Sequence, residues 1–111
     1  MHTYWEIIRT EHKDGFDIVF SVTPEDTNPN DLFDDDGETA RAIQSGLYAW
    51  FIARVEAKRE GITLGTDYLG GCCYENVQDF CTPGDYYDDM IDIAIADARA
   101  MLAKLCDKVE A

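Results

Sequence analysis

The sequence has few basic residues for its length. Nine Lys and Arg stand against 23 Asp and Glu in 111 residues, so the formal net charge is -14 with histidine neutral. Nucleic acid and anionic lipid both repel a chain of this charge, which excludes them as direct ligands. The composition instead favours basic proteins or cations as partners.

Long apolar runs are also missing. No stretch approaches the roughly 18 consecutive apolar residues of a membrane span, and Met1 to Arg9 lacks the basic-then-apolar order of a secretory leader. We therefore expect a soluble, cytoplasmic protein with no membrane partner.

Residues that bind metals or act as nucleophiles are scarce. The only histidines, His2 and His12, lie far from the cysteines, which are Cys72, Cys73, Cys81 and Cys106. This spacing lacks the paired ligands of a zinc site, and acidic residues that follow the first three cysteines would raise the pKa of their thiols. We predict free thiols buried as small apolar residues, with no catalytic residues, no metal and no cofactor.

Enough apolar residues remain to build a core. Hydrophobic residues make up 46% of the chain and aromatic residues 12%, which argues against disorder. At this length we expect one globular domain over residues 1–111, with a radius of gyration near 13 Å as an order of magnitude.

The first half of the chain predicts a hairpin and a short helix. Thr3 to Arg9 and Phe16 to Val22 are rich in strand-forming residues, and Asp14-Gly15 between them signals a turn. After a loop over 25–37, the sequence predicts a helix over Glu38 to Gln44, with Asp36 as N-cap and Gly46 just beyond its end.

The second half predicts two strands and a long helix. Leu47 to Lys58 alternates with period two and is interpreted as a strand, although helix remains the alternative because the segment is rich in Ala, Glu, Lys and Arg. Ile62 to Leu69 follows as a strand, and Gly65, Gly70 and Gly71 predict bends or a bulge where the backbone passes close to something.

A single helical turn is expected over Glu75 to Cys81, and then the final helix. Its apolar stripe at spacings of three and four comprises Tyr87, Ile91, Ala94, Ala98, Met101, Leu105 and Val109, with Asp85 as a suitable N-cap. The small residues along one side of Leu47 to Lys58 predict that a helix packs there. The fold class is therefore α+β: an antiparallel four-stranded sheet in the order β-β-α-β-β-α, with helices on one face and a long C-terminal helix.

Acidic residues are concentrated in two stretches. Fourteen of the 23 lie in Glu25 to Glu38 and Glu75 to Asp97, and neither stretch contains Lys or Arg. Within the predicted last helix, Asp85, Asp88, Asp89 and Asp92 form one stripe whose like charges repel. Fourteen charges equal the phosphate load of about 24 Å of duplex DNA. The alternative to a DNA-like binding surface is that the acidic residues simply form a solvated face, which is the usual role of a charge run.

Two other functions of the same carboxylates are a calcium site and catalysis by paired carboxylates. Asp34-Asp35-Asp36-Gly37 invites comparison with a calcium loop, but Leu32 would occupy the first ligand position and Ile43 the last, so the pattern fails. Paired carboxylates for glycoside or phosphoester chemistry remain an alternative that any acidic protein offers.

Aromatic residues predict a second surface. Trp5, Tyr48, Trp50 and Tyr68 are expected to line the sheet face that the helices leave uncovered. An open aromatic face usually has a partner, so we expect a homodimer or ligand there, and Gly70-Gly71 offers a place where a ligand could approach the backbone.

In size, charge and aspartate runs such as Asp34-Asp35-Asp36 and Tyr86-Tyr87-Asp88-Asp89, the chain resembles small phage and mobile-element proteins of the anti-CRISPR and DNA-mimic anti-defence type. That resemblance implies a non-enzymatic inhibitor of a defence complex, acting in the cytoplasm of a bacterial host cell. The alternative is a dimeric ligand-binding or structural domain that uses the aromatic face, with the acids serving solubility only. The residues predicted to bind the basic groove of a nucleic-acid-binding partner are Asp31, Asp34, Asp35, Asp36, Asp85, Asp88, Asp89 and Asp92.

Overall fold

A four-stranded antiparallel sheet and one long helix form the core of the molecule. The computed structural model describes residues 4–26, 28 and 36–110, of which 107–110 through their backbone only. In chain order the elements are β1 (Glu6–Lys13), β2 (Phe16–Pro24), α1 (Glu38–Gln44), β3 (Ala49–Arg59), β4 (Ile62–Tyr74), a 3-10 turn (Val77–Cys81) and α2 (Tyr86–Glu110). The strands are ordered β1-β2-β3-β4 in the sheet. The predicted α+β class and element order are confirmed.

Both hairpins turn through two residues with left-handed backbone. Asp14 and Gly15 have φ of 54° and 84°, and Glu60 and Gly61 have φ of 55° and 75°. Two consecutive positive φ values give a turn whose twist matches that of the flanking strands. Aspartate and glycine tolerate this conformation well, so the first turn could be predicted from sequence, although β1 begins at Glu6, later than expected.

The apolar face of the sheet packs against α2. On β3 the residues facing the helix are Phe51, Ala53, Val55 and Ala57, all buried, and β2 contributes Phe16, Ile18, Phe20 and Val22. The helix contributes Tyr87, Met90, Ile91, Ala94, Ile95 and Ala98. Strand was therefore the correct interpretation of β3, and its alanines leave room for the helix, as predicted.

Gly65 sets how closely α2 approaches β4. A Cβ at this position would lie 2.0 Å from the carbonyl oxygen of Ala94 and 2.6 Å from the backbone nitrogen of Ala98. No side chain fits between the two backbones, so the prediction of a close approach at this glycine is confirmed.

The start of α1 differs from the prediction. Gly37, with φ of 80°, occupies the N-cap position and no side chain caps the helix, so Asp36 is not the N-cap. Asp36 itself has φ of 57°, and its carbonyl oxygen accepts a hydrogen bond from Arg41 Nη1 (3.2 Å). A left-handed pair replaces the extended N-cap conformation that an aspartate side-chain cap requires.

The end of α1 follows the prediction. Gly46 has φ of 86°, and its backbone N–H donates to Ile43 O (3.1 Å), while Leu47 N–H donates to Ala42 O (2.9 Å). These bonds satisfy the last carbonyls of the helix. Because Leu47 belongs to this cap, β3 begins at Ala49 and not at Leu47.

The C-terminal half of α2 extends past the sheet. Met101 and Leu105 belong to the predicted apolar stripe, yet they are 44% and 46% exposed because no strand lies beneath them. The radius of gyration is 16.5 Å and the longest dimension 59 Å. The expected value near 13 Å is therefore wrong, since it assumed a spherical domain.

Candidate protein-binding surface

Both acidic stretches begin at the same end of the sheet. Pro24 at the end of β2 pairs with Phe51 near the start of β3, and Tyr74 at the end of β4 pairs with Ala49. The connections from β2 to α1 and from β4 to α2 therefore leave the sheet at the same end of the strands. This acidic end comprises the exposed residues Glu6, Asp26, Asp36, Glu38, Glu75, Asp79, Asp85 and Asp89.

Basic residues are concentrated at the opposite end. The turn end of the molecule contains the two hairpin turns and the second half of α2, with Lys13, Lys58, Arg59, Arg99 and Lys104. Several of these cations neutralise acids there: Lys13 Nζ lies 3.3 Å from Asp92 Oδ1, and Arg99 Nη2 lies 3.5 Å from Asp14 Oδ2. The excess negative charge therefore lies mainly at the acidic end.

The four aspartates predicted to form one stripe on α2 have different surroundings. Asp85 Oδ1 accepts the backbone N–H of Tyr86 (2.8 Å), and Asp88 Oδ2 accepts that of Gly84 (2.7 Å). These two carboxylates accept hydrogen bonds from backbone N–H groups and stabilise the positive end of the helix dipole at the start of α2. Asp92 is paired with Lys13, whereas Asp89 is exposed and has no ion-pair partner among the described side chains.

The other predicted partner-binding residues belong to the β2–α1 connection. Asp31, Asp34 and Asp35 lie outside the described residues. Asp36, at the end of that segment, is exposed. Asp36 and Asp85 are thus exposed carboxylates of the acidic end, and Asp88 is half-buried. Asp89, also exposed, is the member nearest the turn end, since it lies one helical turn before Asp92, the partner of Lys13.

The sheet face away from α2 is partly covered by Trp5. Although Trp5 precedes β1, its ring lies 4.3 Å from the Arg54 guanidinium on β3 and 6.0 Å from the Tyr68 ring on β4. It therefore crosses the face of β2, where Ser21 is fully buried and accepts a hydrogen bond from Arg54 Nε (3.1 Å). No sequence pattern indicated Arg54 as the residue that contacts the Trp5 ring.

The other two aromatic residues of the predicted face lie near the acidic end. Trp50 is half-buried on β3. Tyr48 precedes the strand and lines a groove beside α1, together with Glu38, Thr39, Arg41, Ala42, Ser45 and Leu47. The structure brings Trp5 and Tyr68 into contact and places Tyr48 beside α1.

The glycine pair in β4 forms a bulge that Glu25 holds. Phe51 pairs with Cys72 and Ala53 with Leu69, so Gly70 and Gly71 oppose a single residue of β3. Gly71 has φ of 67°, and its N–H donates to Glu25 Oε1 (2.6 Å). The predicted bulge is confirmed, while its carboxylate partner, 46 residues away, had no signal in the sequence.

The cysteines have different exposures. All four are free thiols; Cys72 is buried, Cys73 and Cys81 are half-buried, and Cys106 is exposed. The expectation of burial is therefore wrong for Cys106, which lies on the part of α2 that extends past the sheet. Burial raises the pKa of Cys72 to about 11, so its thiolate is rare at neutral pH.

Neither a metal-ligand cluster nor a membrane-spanning helix occurs among the described residues. Among the described residues, no group of three or more His, Cys, Asp or Glu side chains is arranged to hold a metal ion. Over the same part of the chain, neither helix combines the length and apolar character needed to cross a membrane.

Comparison with known proteins assigns neither a family nor a function to the chain. No protein-family model matches the chain, and neither a curated protein nor a solved structure matches it at a significant level. Inference about function therefore rests on the geometry and charge described above.

Proposed function

We propose that this protein is a non-enzymatic inhibitor whose acidic end binds the basic nucleic-acid-binding surface of a partner complex. In this proposal it acts in the cytoplasm of a bacterial host cell, as anti-CRISPR and other DNA-mimic anti-defence proteins do. The observation that supports the proposal is the uneven distribution of charge: eight exposed acids belong to the acidic end, whereas most of the described cations lie at the turn end, where two of them pair with acids.

Charge separation of this kind has a physical consequence. If the carboxylates served solubility only, spreading them over the surface would lower their mutual repulsion. Concentrating exposed carboxylates such as Asp36, Asp79 and Asp89 creates a local potential that attracts Lys and Arg and accelerates encounter with a basic groove. Binding should therefore be fast and should weaken as salt screens the charges.

A pair of matched variants tests the proposal. The acidic-end variant carries Asp36→Asn, Asp79→Asn and Asp89→Asn, none of which removes a side-chain hydrogen bond that holds the fold. A turn-end variant carries Asp14→Asn, Asp17→Asn and Glu60→Gln. Both change the formal charge from -14 to -11, so the amount of charge removed is the same, and the turn-end variant in addition removes the contacts of Asp14 with Arg99 and of Asp17 with His12.

The expected result is loss of partner binding in the acidic-end variant alone. Retention of nucleic-acid-binding proteins on immobilised protein, at low salt and with competing DNA, provides the measurement. Equal loss in both variants would indicate nonspecific attraction by net charge and would refute the proposal.

We propose as the second candidate function a dimeric domain that associates through the face away from α2. Tyr68 is 58% exposed on that face, which leaves apolar surface for a second copy. Sedimentation velocity of the wild type and of a Tyr68→Ala variant tests this function, because a monomer at every concentration would exclude it.

A further inference from the structure

β4 is an edge strand whose two halves have different surroundings. Within the described part of the chain, β3 is its only strand partner. The first half lies against α2, where Gly65 contacts the helix backbone and Thr66 N–H donates to Asp97 Oδ2 (3.3 Å). The second half, Leu69 to Tyr74, instead borders a groove of about 280 Å³.

This groove is formed by the strand and one helix residue. It is lined by Leu69, Gly70, Gly71, Cys72, Cys73, Tyr74 and Tyr86. The two glycines leave the backbone accessible, and Tyr86, at 56% exposure, provides an aromatic wall. A strand edge beside a groove for alternate side chains is the arrangement by which proteins bind extended peptides.

The second half of β4 lacks the charged side chains that guard edge strands. The other edge, β1, carries Glu6, Arg9, Glu11 and Lys13, and such charges discourage pairing with another chain. Leu69 to Tyr74 contains no charged residue. The bulge at Gly70-Gly71 is the one guarding feature seen there, and the Gly71 N–H is already bonded to Glu25, so pairing is expected over Cys72 to Tyr74.

The negative charge around the groove favours a positively charged ligand. Glu75 follows the strand directly and Asp85 precedes Tyr86. Burial raises the pKa of Tyr74, and the negative charge of Asp85 raises it further, which places that carboxylate close to the groove. No Lys or Arg occurs between Glu75 and Asp97, so a basic segment is favoured over a neutral or acidic one.

We propose that an extended segment of the partner, rich in Lys or Arg, adds to the outer edge of β4 at Cys72 to Tyr74, with one side chain against Tyr86. This inference rests on the proposed function and specifies how a basic partner is held. Main-chain hydrogen bonds fix the register of the segment, and its cations meet Asp85 and Glu75.

Two synthetic peptides test this proposal on the full chain. One alternates lysine and valine; the other has the same sequence, length and charge with every backbone amide N-methylated, and cannot form the ladder because it has no backbone N–H to donate. We expect the first peptide to bind about tenfold tighter, with the largest amide chemical-shift changes at residues 72–74 and 86. Tyr86→Ala should weaken its binding about threefold or more, whereas Tyr68→Ala, which removes an equally exposed tyrosine (58% against 56%), should change it less than twofold.

The other outcomes overturn the proposal in distinguishable ways. Equal binding of both peptides, with shifts spread over the acidic end, would refute strand addition while supporting attraction by charge. If neither peptide binds, the edge of β4 does not accept a basic strand, and the proposed function is then judged by the matched charge variants alone.

Discussion

Replacing Gly65 by alanine should destabilise the protein strongly, because this position holds α2 against β4. The added Cβ would lie 2.0 Å from Ala94 O and 2.6 Å from Ala98 N. Since real Cβ atoms essentially never come within 3.0 Å of such atoms, the helix backbone must retreat by at least 3.0 - 2.0 = 1.0 Å. That retreat loosens the packing of Ile91 and Ile95 in the core.

The expected cost lies at the upper end of the range for overpacked cores. Inserting one methyl group into a tight core costs about 1–3 kcal/mol, and here both neighbours are backbone atoms that no side-chain rotation can move, so we expect about 3 kcal/mol. For a domain of this size that corresponds to a fall in Tm of about 12 °C. Urea denaturation followed by circular dichroism measures the free energy of unfolding directly.

Gly70→Ala is the matched control, since it makes the same change in the same strand. Its Cβ would meet Glu25 Oε1 at 3.1 Å, the end of a flexible side chain, and alanine lowers the entropy of the unfolded chain. We expect a free energy of unfolding within about 1 kcal/mol of wild type. Similar losses in both variants would refute the claim that Gly65 is the point of closest approach.

Three further predictions concern the helix start, the aromatic core and a buried thiol. Asp88→Ala should lower the free energy of unfolding by about 1 kcal/mol, because Asp88 accepts the Gly84 N–H. Asp89→Ala should stay within about 0.5 kcal/mol of wild type. Chemical denaturation measures both variants, and equal effects would contradict the prediction. Phe80→Ala should cost about 3–5 kcal/mol, since Phe80 is fully buried and its ring centre lies 5.2 Å from that of Phe20; a loss below 1 kcal/mol in chemical denaturation would show that the 3-10 turn does not close the core. Burial raises the pKa of Cys72 from 9.0 to about 11, so between these pH values the folded chain keeps a proton that the unfolded chain loses. The contribution of the protonated thiol to the free energy of unfolding is therefore fully present below pH 9 and is lost as the pH rises to 11. Wild type should therefore lose more stability than Cys72→Ala over this interval, and parallel curves would contradict the assignment.

Local signals in the sequence predicted most of the fold. Asp14-Gly15 specifies the first turn, Gly46 ends α1, and period-two alternation with alanines distinguished β3 from a helix. Each of these features depends on residues adjacent in sequence, which is why the pattern was sufficient. The predicted N-cap of α1 was wrong because Asp36 and Gly37 both adopt left-handed backbone, which the residue pattern did not indicate.

The candidate surface was less accessible to sequence analysis. The two acidic stretches could be identified, but only the strand register shows that both begin at the same end of the sheet. The contact of Trp5 with Arg54 and the bond from Gly71 to Glu25 join residues 49 and 46 positions apart. Contacts at such separations leave no periodic trace, so the lining of the β4 groove had to come from the structure.

The central claim is that the position of the charge, and not its amount, determines binding. The most direct test compares the two charge variants with wild type in affinity capture from a bacterial lysate, followed by mass spectrometry at low and high salt. We predict that wild type and the turn-end variant retain a nucleic-acid-binding complex that elutes with salt and with competing DNA, while the acidic-end variant does not. Retention of the same complex by all three proteins, or of no such complex by wild type, would contradict the account.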